Sequence, residues 1–252
     1  MIPKIIHYCW FGKSPLPKLA KECIQSWKKY CPDFVIKEWN ETNSPIHLFP
    51  FAEQALEAKK WAFVSDIIRL YALYTEGGIY MDTDVELIGP LYPFLNYRTF
   101  TGYEKDSNML QTAIFGAEPQ SQWIADWLKL YNHLSFSPER NIMAILVNNR
   151  LISKYLIEKG INLDGKLLHS DYITIYPHDY FCPMSYGTHF ITKTPNTVCI
   201  HYYTFSWSEP ETIKGYLKKY ITKVIGEKKF RTIVNYIREK TRTIFIKQYY
   251  NK

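Results

Sequence analysis

The sequence has no run of about 18 apolar residues, so no membrane-spanning helix is expected. Its start, Met1-Ile2-Pro3-Lys4-Ile5-Ile6-His7, lacks the basic stretch and long apolar core of a secretory leader. Cysteine is sparse and unpaired in pattern. The five are Cys9, Cys23, Cys31, Cys182 and Cys199, with no C-x-x-C among them. That argues against a disulfide framework or a zinc knuckle and fits a reducing cytoplasm. There is no internal repeat and no low-complexity segment. What is present is a globular balance over 252 residues, 46% hydrophobic and 22% charged, which excludes a largely disordered chain. Aromatics reach 17%, which suits sugar- or base-stacking sites and large cores equally.

The net charge of +7 is unevenly placed. Residues 211–252 hold nine Lys and three Arg against three Glu, leaving the first 210 residues slightly acidic. In this tail Lys218, Lys219, Lys228, Lys229, Arg231, Arg238, Lys240 and Arg242 interleave with Leu217, Tyr220, Ile221, Phe230, Ile233, Tyr236 and Ile237. The pattern reads as two basic amphipathic helical segments broken at Gly226. It suits an anionic membrane surface, and equally a helical pair packed on the preceding domain. Since the charge sits in the tail and no reading module is recognisable, nucleic acid is not an expected partner.

Residues 5–10 read as a buried strand, and the spacing of Leu16, Leu19, Ala20, Cys23, Ile24 and Trp27 predicts a helix over 16–30. A second strand covers 34–39, a polar loop 40–50, and a helical stretch 52–76 with a break near Val64-Ser65. Gly77-Gly78 supplies the stop, and Ile79-Tyr80-Met81 leads as a strand into Asp82-Thr83-Asp84. Two strands are expected in 99–116, helices over 122–134 and 142–158, and strands and loops over 172–205. Alternating strands and helices predict an α/β sheet covered on both faces. The expected organisation is one domain over 1–210 and a basic helical extension over 211–252.

The chemistry is concentrated in residues 62–84, AFVSDIIRLYALYTEGGIYMDTD. Asp66 and Arg69, three apart on a helix, share a face. Asp82 and Asp84, two apart on an extended segment, point to one side. Paired carboxylates at the end of a buried strand repel unless a cation sits between them, and oxygen ligands suit Mg²⁺ or Mn²⁺. In open α/β sheets the ligand crevice lies beyond the carboxyl ends of the strands, where this pair falls. A D-x-D after a strand also occurs in aspartyl-phosphate phosphatases, but Glu86 stands where their pattern wants Thr or Val.

S-D-x-x-R followed by G-G-x-Y-x-D-x-D resembles the DXD-containing sugar transferases of glycosyltransferase family 32. That group includes bacterial capsule and lipopolysaccharide transferases, yeast mannosyltransferases and, more distantly, the glucosylating clostridial toxins. The opening I-P-K-I-I-H-Y-C-W-F-G, the segment 177–183 and His201-Tyr202-Tyr203-Thr204-Phe205-Ser206-Trp207 are similar to further elements of the family. The resemblance covers about residues 1 to 207 and implies a GT-A type, Rossmann-like nucleotide-sugar-binding fold. It implies a metal-dependent retaining glycosyltransferase that moves a hexose from a nucleoside diphosphate sugar, UDP favoured. The implied acceptor is a saccharide or lipid-linked oligosaccharide. The implied setting is capsule or surface polysaccharide synthesis, in the cytoplasm or peripheral on the inner membrane face.

By the same resemblance, Trp10 stacks on the base and the backbone near Tyr8 holds it. Asp66 and Arg69 grip the donor sugar, with Arg69 near the phosphates. Asp82 contacts ribose and sugar and shares the metal, Asp84 ligates it directly, and His201 completes the metal shell. Ser206 and Trp207 contact the β-phosphate from a closing loop. Among Glu104, Asp106, Asn108 and Gln111, the last two are candidates for a group near the anomeric carbon. The alternative is a non-catalytic nucleotide- or saccharide-binding module, a degenerate transferase, which leaves Arg69 before the paired aspartates unexplained.

Overall fold

The structure is a computed structural model that describes residues 1–139 and 147–204, with the isolated positions 226, 229 and 232. The 211–252 extension, Ser206 and Trp207 therefore lie outside the described residues, apart from those three positions.

Seven strands form one mixed sheet in the order β2-β1-β3-β6-β5-β8-β7. They are β1 (Ile5–Cys9), β2 (Val35–Trp39), β3 (Gly78–Met81), β5 (Thr99–Gly102), β6 (Ile114–Ala117), β7 (Leu168–His169) and β8 (Thr174–Tyr176). β1 runs parallel to β2 and β3, and β5 runs parallel to β8. β6 is antiparallel to both β3 and β5, so β1, β2, β3, β5 and β8 all end at one edge. A separate antiparallel pair joins β4 (Val85–Leu87) to β9 (Cys199–His201).

Helix α1 (Lys18–Tyr30) joins β1 to β2, as its apolar spacing predicts. The expected break in the next helical stretch falls earlier than Val64-Ser65. Helix α2 (Pro50–Glu57) ends and α3 (Trp61–Glu76) begins around Lys59, which takes a φ of 56°. The Lys60 N–H reaches back to the Ala55 carbonyl at 2.8 Å, a helix-terminating arrangement that absorbs an orphan carbonyl. Helices α4 (Gln122–Tyr131), α5 (Asn148–Glu158) and the short α6 (His178–Phe181) complete the described set.

Strand alternation sorts the core into two faces. Tyr80 and Phe115 face a cluster with α2, α3, α4 and α5, while Ile79, Met81 and Ile114 face Trp27 of α1, Val85 and Cys199. The two glycines at the α3–β3 junction are required by space and by dihedral. Gly77 has a φ of 65° and Gly78 of 100°, and a Cβ at Gly78 would stand 2.7 Å from the Ile5 carbonyl oxygen. This junction delivers β3, and with it Asp82, directly beside α3.

Candidate functional site

The ends of β1 and β3 lie side by side through the His7↔Tyr80 pairing, so Trp10 and Asp82 leave the sheet at the same edge. Tyr80 and Asp82 share the face turned to α3, which carries Ser65, Asp66 and Arg69. The Tyr80 hydroxyl donates to Asp82 Oδ1 at 2.7 Å and lies 3.0 Å from Ser65 Oγ. Arg69 Nη2 sits 3.2 Å from Asp66 Oδ1 and 3.4 Å from Asp82 Oδ1. Its other N–H groups donate to the Ser65 carbonyl and the Thr112 carbonyl, and its guanidinium lies 4.5 Å over the Tyr80 ring. As placed, Arg69 is a buried counter-ion bonded to protein, and its link to the site edge runs through Asp82.

Asp82-Thr83-Asp84 is a turn and not the extended segment expected from spacing. The Val85 N–H closes it onto the Asp82 carbonyl at 3.0 Å. The turn carries the chain off the main sheet, so β4 pairs with β9 and His201 comes opposite Val85. Asp82, Asp84 and His201 thereby offer ligand atoms that all lie within 4.8 Å of one another. His201 Nε2 stands 3.4 Å from Asp84 Oδ1, while Asp84 Oδ2 accepts from both the backbone N–H and the hydroxyl of Thr204 at 2.8 Å. Two carboxylates and an imidazole are a ligand set that fits a divalent cation. The bonds from Tyr80 and Arg69 both engage Oδ1 of Asp82, which fixes its orientation without occupying Oδ2.

Burial and charge set the three acids apart. Burial raises Asp84, but the facing His201 and the Thr204 bonds outweigh it and hold the carboxyl well below the usual range. Burial lowers His201, but Asp84 outweighs it and the imidazole is raised well above its ordinary value. Burial raises Asp82 beyond what Arg69 restores. Asp66 is pushed up to about 6, chiefly by burial, despite Arg69 and a bond from Asn148 Nδ2 at 3.1 Å. A functional carboxylate kept away from its ordinary pKa by desolvation and a specific partner marks a candidate site.

The other expected residues are placed as follows. Trp10 is half-buried at the edge beside β3, and its Nε1 donates to the Ser14 carbonyl at 2.6 Å. The Tyr8 hydroxyl donates to Glu38 at 2.6 Å. Gln111 is buried, with its carbonyl accepting from the Ala113 and Ile114 N–H groups and its NH₂ donating to the Ile114 carbonyl. Its amide braces the entry to β6, and Ala113 in turn accepts from the Asp82 N–H at 2.8 Å. Asn108 is exposed in the loop after β5, against Gly165. Asn148, which also accepts from Trp127 and Tyr131, carries no signal in the sequence, because it meets Asp66 across 82 positions. Tyr80 is a named position of the quoted motif to which no role was assigned, and Thr204 stands in its motif only as a spacer.

Residues 17–101 match the family described as glycosyltransferase sugar-binding region containing DXD motif, a stretch that includes Asp66, Arg69, Asp82 and Asp84. Over 82 residues the chain is 34% identical to "Glucan organizing enzyme 1" of Cryptococcus neoformans, covering 29% of this chain and 22% of that protein. Over 36 residues it is 58% identical to "Toxin Afp18" of Yersinia ruckeri, covering 14% of this chain and 2% of the toxin. The chain thus spans only a small part of either relative. Among solved structures, the PaToxG glycosyltransferase is similar with a TM-score of 0.51 and 19% identity, covering 63% of this chain and 70% of that one. The chain has the GT-A glycosyltransferase fold expected from the sequence, and its match to the DXD family is confined to residues 17–101.

Proposed function

We propose that this chain is a metal-dependent, retaining glycosyltransferase. It takes a hexose from a nucleoside diphosphate sugar to a hydroxyl of a saccharide or lipid-linked saccharide, in surface polysaccharide synthesis. The observation that carries the reading is the convergence of Asp82, Asp84 and His201 at the strand ends beside the Arg69-compensated Asp66. The preference for UDP and for retention rests on the sequence resemblance.

In this reading Asp82, Asp84 and His201 hold Mn²⁺ or Mg²⁺. When bound, such a cation neutralises charge on the diphosphate leaving group. Trp10 supports the base at the end of β1, which lies beside the metal ligands in strand order. Asp66 accepts from donor-sugar hydroxyls, and Arg69 keeps Asp66 and Asp82 in place. The acceptor oxygen attacks the anomeric carbon on the face that the phosphate leaves. The new C–O bond forms as the sugar–phosphate bond breaks, and the acceptor proton passes to the departing phosphate oxygen. Ser206 and Trp207 belong to the closing loop of the proposal, which would limit hydrolysis. The 211–252 extension would hold the enzyme peripherally on the inner face of the membrane.

Nucleotide release from UDP- and GDP-hexoses, measured with Mn²⁺ and with chelator, tests the proposal. Asp82→Ala and Asp84→Ala should each abolish release. Normal turnover in either variant, or turnover unchanged by chelator, overturns the metal assignment.

A further inference from the structure

The imidazole of His201 is held by more than Asp84. The Tyr203 ring lies 4.0 Å from the His201 ring, centroid to centroid, with the planes tilted by 39°. Side chains two residues apart on a regular strand stand about 6–7 Å apart. The closer approach comes from the backbone, because Tyr203 takes a φ of 51°, a left-handed conformation uncommon for a residue with a Cβ. Bonds on either side of Tyr203 impose that conformation. The Tyr202 N–H donates to the Asp84 carbonyl at 3.0 Å, and the Thr204 N–H to Asp84 Oδ2 at 2.8 Å. The chain thus wraps Asp84 and lays Tyr203 against His201. Backbone strain that its surroundings over-determine in this way marks functional sites.

Tyr203 is fixed in turn. Its hydroxyl lies 2.8 Å from Cys182 Sγ. Cys182 is fully buried and directly follows α6, with its N–H on the His178 carbonyl at 2.8 Å. Helix α6 is tied to the strand that carries His201, because the Cys199 thiol donates to the Phe181 carbonyl at 3.2 Å and the Val198 N–H to the Tyr180 carbonyl at 2.9 Å. Cys182 therefore stands on the same braced unit as His201, and its side chain is also a hydrogen-bonding neighbour of the imidazole. The donor electron pair of an imidazole lies in the ring plane. A histidine that ligates a metal therefore needs outer contacts that fix its ring orientation and tautomer.

We propose that Tyr203 and Cys182 are positioning residues for His201: Tyr203 sets the plane of the imidazole by stacking on it, and Cys182 anchors the Tyr203 hydroxyl, so that a divalent cation meets a preoriented nitrogen donor. The proposal rests on the metal-dependent reading and adds to its site two residues that strand and helix spacing do not mark. Both act through His201 and not on the substrate, and no bond is made or broken by them.

The test is Mn²⁺ affinity of the full-length protein, read by calorimetry and by the electron paramagnetic resonance of free Mn²⁺, with UDP present. Tyr203→Leu and Cys182→Ala should each weaken Mn²⁺ binding by about tenfold or more, the size seen when an outer contact of a ligating histidine is removed. Cys182→Ser keeps a hydrogen-bonding atom and should restore most of what Cys182→Ala loses. Tyr203→Phe keeps the ring but frees it from Cys182, so it tests the anchor in a side chain that fills the same space. A double-mutant cycle separates positioning from general support: in a His201→Ala background the Tyr203 and Cys182 variants should cost no further Mn²⁺ affinity. Unchanged Mn²⁺ affinity in the single variants, or losses that add to that of His201→Ala, overturns the positioning role and leaves the metal reading standing. A folded wild-type protein that binds no Mn²⁺ overturns the metal reading and the positioning role with it.

Discussion

Asp66 is held ionised in a buried position at a cost that can be measured. The carboxyl moves from an ordinary 3.8 to about 6, with burial the largest cause. At about 1.4 kcal/mol per pH unit, the difference amounts to about 3 kcal/mol against the folded state once both forms are ionised. The sign follows from proton binding. The folded chain holds this proton more tightly than the unfolded one, so stability falls as pH rises from about 4 through about 6 and is level above. Asp66→Asn removes the charge and keeps the contacts, because Asn148 and Arg69 both meet Oδ1, which an amide carbonyl replaces. The variant should therefore be more stable than wild type at pH 7.5 by up to about 3 kcal/mol, or about 6–12 °C in Tm for a chain of this size. The advantage should shrink at pH 5 and vanish near pH 4, while sugar transfer is lost. Thermal unfolding at the three pH values decides it. A variant less stable than wild type at pH 7.5, or an offset independent of pH, refutes the reasoning.

Other consequences follow from neighbouring groups. His7 is fully buried and lowered, chiefly by desolvation, with Nδ1 accepting from Trp39 Nε1 at 3.0 Å and Nε2 bonded to the Gly77 carbonyl. Its stabilising contribution is present above the unfolded value of about 6.5 and is lost as pH falls below it, so His7→Gln should flatten the acid side of a Tm-against-pH curve. Cation binding at the Asp82–Asp84–His201 cluster must displace the proton on His201, so Mn²⁺ should bind more weakly at pH 6 than at pH 8. Calorimetry in buffers of different ionisation heat should show proton release, and His201→Ala should remove it. The basic extension should drive sedimentation with anionic liposomes, and a chain lacking residues 211–252 should stay in the supernatant; equal partition removes the membrane assignment.

Much of the site was legible because its partners are close in sequence. The i,i+3 spacing of Asp66 and Arg69 on α3 produced the expected contact. Gly77-Gly78 marked the helix stop that delivers Asp82, and the alternation of strands with helices indicated the covered sheet. What escaped was set by non-local geometry. The break at Lys59 needs a left-handed residue that composition does not announce. The Asp82–Asp84 pair converges through a turn, because β4 leaves to join β9, and strand periodicity has no hold on a turn. Asn148 reaches Asp66 from a helix far along the chain. Gln111 read as a polar group in a functional loop, yet backbone N–H groups already claim its carbonyl.

The central claim is a nucleotide–metal site at the ends of β1 and β3. The direct measurement is the thermal shift of the protein with UDP, GDP and their sugar conjugates, each with and without Mn²⁺. The account predicts a shift that needs nucleotide and metal together and disappears in Asp84→Ala. No shift with any nucleotide in folded protein, or an undiminished shift in that variant, would contradict it.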